Sequence, residues 1–74
     1  MTNNTNNTYD ISKFGGNLRR LREELGINRE DFAYSIGVCT RMIYDYEEGF
    51  KKPKLETAMK IAFVLGVTLD SMLR

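Results

Sequence analysis

The chain has 74 residues and a formal net charge of +1, with 42% hydrophobic and 28% charged residues. A chain of this length forms one small domain that buries roughly 60% of its unfolded surface, which leaves little room for a deep catalytic cleft. No apolar run approaches the roughly 20 residues needed to cross a bilayer, and no signal-peptide pattern is visible. We therefore expect a cytoplasmic protein.

The residues that most often carry enzymatic chemistry are scarce. The sequence contains no histidine and a single cysteine, Cys39, so it offers neither an intramolecular disulfide nor the spacing of a metal site. It also lacks a glycine-rich phosphate loop. We expect no enzymatic activity, no cofactor, no metal and no small-molecule substrate.

The N-terminal part of the chain contains a polar tail followed by the first helix. Residues 2–8 are only threonine and asparagine, so residues 1–11 are predicted to form a disordered tail and residues 12–74 the domain. Ser12 is the predicted N-cap of the first helix, and Gly26 ends it. Apolar residues between them recur at helical spacing: Phe14, Leu18, Leu21 and Leu25.

Four more short helices are predicted after Gly26. Asn28 caps the second helix, Gly37 ends it, and the third covers about 40–48. The fourth runs from Leu55 to about residue 65, and Thr68 caps a last short helix. The inward residues of the fourth helix are predicted to be Leu55, Ala58, Ile61, Ala62 and Leu65. Because no segment alternates cleanly enough to be a strand, the fold class is all-α with five helices.

The second and third helices carry the spacing of a helix-turn-helix over residues 28–49. Two helices that cross steeply need a small residue where they touch and a left-handed residue in the turn. Ala33 and Gly37 have these properties, and Val38 points back to the core. Ile43 and Tyr46 then supply the inward face of the third helix. The alternative is an unrelated helical hairpin, which would rarely place all these residues at these intervals.

Residues 14–73 resemble the lambda-repressor/Cro type of helix-turn-helix domain, the XRE family. The matching stretches are LRRLREELGINREDFAYSIGV, IYDYEEG and KPKLETAMKIAFVLGVTLDSML. The resemblance implies that the third helix lies in the major groove of DNA while the other helices brace it. It also implies a partly buried ion pair between Arg22 and Glu47, which we interpret as structural.

The resemblance also implies which residues contact DNA. The base-reading positions correspond to Thr40, Arg41, Tyr44 and Asp45. Arg41 is the best candidate for reading guanine, although it can instead hold a phosphate or pair with Asp45. Phosphate contacts correspond to Arg29 and to three loop lysines, whose alternative role is that of solvated charges: Lys51, Lys52 and Lys54.

Some residues depart from the family pattern. Cys39 stands at a helix start where a thiol caps poorly, and Glu48 should weaken phosphate binding nearby. Phe63, Val64 and Met72 are interpreted as a dimer contact, although an isolated exposed Phe63 is equally ordinary on a surface.

The sequence as a whole predicts a sequence-specific regulator of transcription that binds double-stranded DNA, a bacterial or phage-encoded repressor working as a homodimer. Its two copies of the third helix would enter major grooves roughly 34 Å apart. The alternative is a protein-interaction module on the same fold, such as an antitoxin or a regulatory subunit. The low net charge, Glu48 and the apolar surface favour that alternative, whereas Arg41 and the lysine-rich loop favour DNA.

Overall fold

The computed structural model describes residues 10–74 of the chain. They form a short 3₁₀ helix, Ile11–Lys13, and five α-helices. These are α1 (Phe14–Glu24), α2 (Arg29–Ile36), α3 (Thr40–Glu48), α4 (Leu55–Leu65) and α5 (Leu69–Met72). No strand occurs within this part of the chain. The predicted all-α arrangement of five helices is therefore confirmed.

The two ends of the described segment meet. The backbone N–H of Asp10 donates to the carbonyl of Leu73 over 2.7 Å, and the side-chain amide of Asn17 donates to the carbonyl of Met72 over 2.7 Å. The predicted tail falls mostly on residues 1–9, which lie outside the described residues. Asp10 and Ile11 were assigned to that tail, but they belong to the domain because this contact ties them to α5.

The helix starts agree with the sequence at two places and differ at one. Asn28 and Thr68 accept hydrogen bonds from backbone N–H groups in the first turns of α2 and α5, as predicted. The prediction that Ser12 caps the first helix is wrong. Instead, the Asp10 carboxylate accepts hydrogen bonds from the backbone N–H and the hydroxyl of Ser12, over 3.0 and 2.7 Å. The chain is already helical at this point, so Lys13 enters α1 without a side-chain cap.

The hydrophobic core lies between all five helices. Its largest fully buried side chains are Phe14, Leu18, Phe32, Ile43, Ile61 and Met72. Burial of each such side chain stabilises the fold by roughly 1.5–3 kcal/mol. Leu55 was predicted to face inward, but it is more than half exposed, as is Leu25 at the end of the apolar row of the first helix. Each lies at the end of a helix, beyond the last residue whose side chain faces the core.

The turn between α2 and α3 has the geometry that its sequence predicts. Gly37 has a φ of +76°, a left-handed conformation that costs glycine little. The N–H of Val38 donates to the carbonyl of Ala33 over 3.0 Å and closes the end of α2. Ala33 and Ile43 are both buried. This turn fixes the angle at which α3 leaves the body of the domain.

A second close contact joins α1 to α3. A Cβ atom built on Gly15 would collide with the carbonyl oxygen of Tyr46 and lie 2.7 Å from that of Glu47. The two backbones therefore touch directly. No sequence pattern distinguishes Gly15, yet this residue sets how deeply the end of α3 sits against α1.

Candidate nucleic-acid interface

A buried carboxylate anchors the end of α3. Arg22 Nε donates to Glu47 Oε2 over 2.6 Å, and Arg22 Nη2 donates to Oε1 over 3.2 Å. Arg22 Nη1 also donates to the carbonyl of Ile27 over 2.7 Å. The side chains are only 7% and 0% exposed. The structure thus brings together Arg22 and Glu47, the two residues assigned to an ion pair. Their contacts join α3 to α1 and to the loop between α1 and α2.

Arg29 is a second arginine on the same carboxylate. Its Nε donates to Glu47 Oε1 over 2.9 Å, and its side chain is one-third exposed. The family resemblance implied a phosphate contact at Arg29 and did not indicate this ion pair. Since the bond uses Nε, both Nη groups stay available to a ligand at the domain surface.

The ring of Tyr44 organises the outer side of α3. The guanidinium carbons of Arg29 and Arg41 lie 5.4 and 5.3 Å from the ring centre, within the range of a cation–π contact. Phe50 packs edge-on against the same ring, with 6.0 Å between the centroids. No sequence pattern indicated that Phe50 would support Tyr44.

Asp45 is the predicted base-reading residue whose position differs most from expectation. It was assigned to the exposed face of α3, but its side chain is only 9% exposed. Arg41 Nε donates to Asp45 Oδ1 over 2.9 Å, and Lys51 Nζ lies 3.9 Å from Oδ2. This hydrogen bond and the charge of Asp45 raise the pKa of Arg41. Asp45 lies beneath its cations and does not face the solvent directly.

The remaining predicted contacts lie on the open surface. Thr40 begins α3 and is exposed, as are Lys51, Lys52 and Lys54 in the loop before α4. Within residues 10–74, neither Lys52 nor Lys54 takes part in an ion pair. Both lysines are therefore available to an anionic ligand.

The acidic side chain of Glu48, which was expected to oppose phosphate binding, has a cation beside it. Arg19 Nη1 lies 3.8 Å from Glu48 Oε2. Glu48 is one-third exposed, so this pair is partly screened by solvent. The buried Asp45 and Glu47 also lie against cations, so each of the three acidic side chains of α3 contacts at least one cation. The exposed surface of α3 is consequently more cationic than its sequence suggests.

An apolar groove lies between α2 and α4, with an open volume of about 1000 Å³. Phe63 is 85% exposed and Tyr34 90% exposed at its walls, and the half-buried Val64 also lines it. Leu55, Met59 and Phe63 form an exposed row of apolar residues, spaced by four, on α4. This spacing can be seen in the sequence. Met72, assigned to the dimer contact, is fully buried by the docking of α5 and is not available to a second molecule.

A family model described as helix-turn-helix, HTH_3, matches residues 18–72. The chain belongs to the HTH_3 family. This confirms the predicted family, and the five helices of the HTH_3 chain match solved structures of the lambda-repressor-like type. The P22 c2 repressor bound to a synthetic operator superimposes with a TM-score of 0.79 over 82% of this chain and 92% of that one; at 23% identity, the likeness shows the fold alone.

More similar sequences include named regulators. The HTH_3 chain is 39% identical over 59 residues to the cryptic phage CTXphi transcriptional repressor RstR of Vibrio cholerae, covering 80% of this chain and 53% of that protein. The restriction-modification controller protein C.AhdI of Aeromonas hydrophila is 27% identical, with a TM-score of 0.77, covering 84% of this chain and 94% of that one. Among the curated relatives, the match spans about half of RstR and 43% of the regulator DdrOP3 of Deinococcus deserti.

Residues 10–74 contain no group of three or more His, Cys, Asp or Glu side chains arranged to hold a metal ion. In the same part of the HTH_3 chain, every helix is too short or too polar to cross a membrane.

Proposed function

We propose that this chain is a sequence-specific transcriptional regulator that binds double-stranded DNA by placing α3 in the major groove. One observation carries the proposal: the exposed side of α3 joins a surface of lysines, of which Lys52 and Lys54 form no ion pair within residues 10–74, while its acidic side chains lie against arginines or a lysine. Thr40, Arg41 and Tyr44 are at this surface, beside Lys51 and Lys52. The names of the relatives, a transcriptional repressor among them, support the same function.

Contacts to the DNA backbone and to the bases fall to different residues in this proposal. The Lys52 and Lys54 ammonium groups neutralise phosphates, which supplies affinity without sequence information. Arg41 and Thr40, at the start of α3, meet the base edges, where an arginine fork matches guanine O6 and N7. Arg29 holds a phosphate with its free Nη groups. Repression follows from occupying promoter DNA and requires no cofactor.

We further propose that the regulator works as a homodimer, with the outer face of α4 as the contact between copies. Phe63 and Met59 form an exposed apolar row there. Glu56 and Lys60 stand one turn apart on the same face, and neither forms an ion pair within residues 10–74. In an antiparallel arrangement, Glu56 of each copy faces Lys60 of the other, so the surface is complementary to itself.

The test is a salt titration of duplex binding. The duplex is one selected from a randomised library, and affinity is measured by fluorescence anisotropy between about 50 and 200 mM salt. We expect a linear log–log plot whose slope falls in magnitude by roughly 0.9 in Lys52→Gln. Arg20→Gln is the matched control, because Arg20 is exposed and bonded to Asn17 on the side of α5. Absence of binding at low salt overturns the proposal and favours the protein-interaction module.

A further inference from the structure

Asp45 holds the side chain that is proposed to read the bases. Its Oδ1 accepts a hydrogen bond from Arg41 Nε over 2.9 Å, and its own side chain is 9% exposed while that of Arg41 is 73% exposed. The guanidinium carbon of Arg41 also lies 5.3 Å from the centre of the Tyr44 ring. Arg41 is thus fixed at two points on α3 while its far end remains in solvent.

This attachment decides which edge of Arg41 faces a ligand. A guanidinium has five N–H donors in a rigid, planar fork. With Nε bonded to Asp45, the donors left for a ligand are those on Nη1 and Nη2, which form one flat edge. Two parallel donors on a fixed edge suit the paired acceptors O6 and N7 of guanine. A freely rotating arginine would instead settle on the nearest phosphate.

The charge of Asp45 lowers the overall affinity for DNA. Its carboxylate lies 3.9 Å from Lys51 Nζ as well as against Arg41, so it partly neutralises two cations at the same surface. An anion there reduces the attraction between the protein and any phosphate backbone, whatever the sequence. The same side chain therefore lowers non-specific binding and restrains the group that discriminates.

We propose that Asp45 is a positioning residue for specificity, which holds Arg41 in the orientation that selects a guanine and weakens binding to all other sequences. This inference rests on the proposed function, since it presupposes DNA in contact with α3. Asp45 itself makes no contact with the bases. Its removal should consequently change the ratio of specific to non-specific affinity and leave the ability to bind DNA in place.

The experiment compares Asp45→Asn with the unmodified protein on two duplexes, the selected site and the same site with its guanine–cytosine pair at the Arg41 position replaced. The unmodified protein should prefer the selected site by about 5- to 150-fold, the range of one bidentate arginine contact. We expect Asp45→Asn to lose most of this preference. Its affinity for the substituted duplex should rise, with a salt slope steeper by up to roughly 0.9 as Lys51 is released.

Two variants separate positioning from other effects. Glu24→Gln removes one charge from a pair with Arg20 of the same i, i+4 spacing, so it should leave the preference unchanged. Arg41→Lys keeps the positive charge on an exposed side chain and loses the planar guanidinium. It should therefore abolish the preference for the selected site without unfolding the domain. This variant remains informative if Asp45→Asn does not fold. In the double variant, Asp45→Asn should remove no further preference beyond that lost in Arg41→Lys.

The outcomes distinguish this inference from the function on which it rests. If the unmodified protein binds no duplex, the proposed function fails. If it binds selectively and Asp45→Asn retains the full preference, only the role of Asp45 is overturned. If Arg41→Lys retains it, the proposed base contact of Arg41 is overturned as well, while DNA binding stands. Equal weakening of both duplexes in Asp45→Asn would also overturn it, because that result describes a general structural role.

Discussion

The backbone of Gly15 in α1 lies against the backbone of Glu47 in α3, with no space between them for a side-chain carbon. This contact brings the end of α3 close enough to α1 for Arg22 to reach Glu47 from within the core. Gly16, the next residue, has no atom within 4 Å of the position a Cβ would take. The two glycines are neighbours in one helix, but Gly15 is buried and Gly16 is exposed.

Gly15→Ala and Gly16→Ala should therefore have opposite effects on stability. Gly15→Ala forces α1 and α3 apart and should lower the free energy of unfolding by about 1–3 kcal/mol. Gly16→Ala should raise it by up to about 1 kcal/mol, because alanine favours a helix more than glycine does. Urea denaturation of both variants is the measurement. Equal changes in the two would show that the backbones do not touch.

The two arginines on Glu47 should be unequal. Arg22 makes two hydrogen bonds to Glu47 and is almost fully buried, so Arg22→Gln leaves the buried carboxylate with Arg29 alone and should cost about 3–5 kcal/mol. Arg29→Gln removes one bond from a partly exposed side chain and should cost much less. Thermal and urea unfolding check the order. Arg22→Gln in a Glu47→Gln background should cost less than it does alone.

The stability of the domain should fall in alkaline solution through Tyr46. Burial raises the pKa of Tyr46 above 10.0, with a further contribution from Cys39, and a hydrogen bond to Thr57 acts against this. Since the fold favours the neutral phenol, this stabilisation is complete below the ordinary pKa and is lost as the pH rises toward the raised one. Unfolding curves between about pH 8 and 11 should show a smaller loss in Tyr46→Phe. Tyr34→Phe, at an exposed tyrosine, is the control and should keep the loss.

The proposed contact between copies depends on the outer face of α4. Phe63→Glu should give a monomer by sedimentation equilibrium with little change in unfolding free energy, because this side chain is 85% exposed. Glu56→Lys should also weaken the dimer, and adding Lys60→Glu should restore it. A dimer that survives Phe63→Glu, or a charge exchange that fails to restore association, would place the contact elsewhere.

The helices and the central turn were predictable because their causes are local. Gly37 requires a left-handed backbone, Asn28 caps the next turn, and Ala33 and Ile43 follow the helical period, so neighbouring residues suffice to place them. The association of Arg22 with Glu47 is not local. It came from the family resemblance, which carries information about packing that spacing alone does not.

The features that the sequence did not reveal depend on contacts between distant segments. Gly15 looks no different from Gly16 until α3 lies beside it. Asp45 was expected on the exposed face of α3, but its side chain is buried, with Arg41 and Lys51 as its charged neighbours. Met72 lies in the core because α5 packs back against α1. The four residues of α5 do not specify this packing by themselves.

The hydrogen bond from Asp10 to Leu73 makes the path of the described chain nearly circular. A short peptide linking the residues just outside this bond could join the two ends without displacing any helix, and a cut in the exposed link between α4 and α5 would then give a circularly permuted domain with the same core. A label or a second domain attached directly at Asp10 or after Leu73 would start from the same corner, next to α5. Ile11 and Ser12 line one cavity together with Lys51 and Lys52, so an attachment on the N-terminal side would lie close to the lysine-rich loop, whereas one after Leu73 would start from α5.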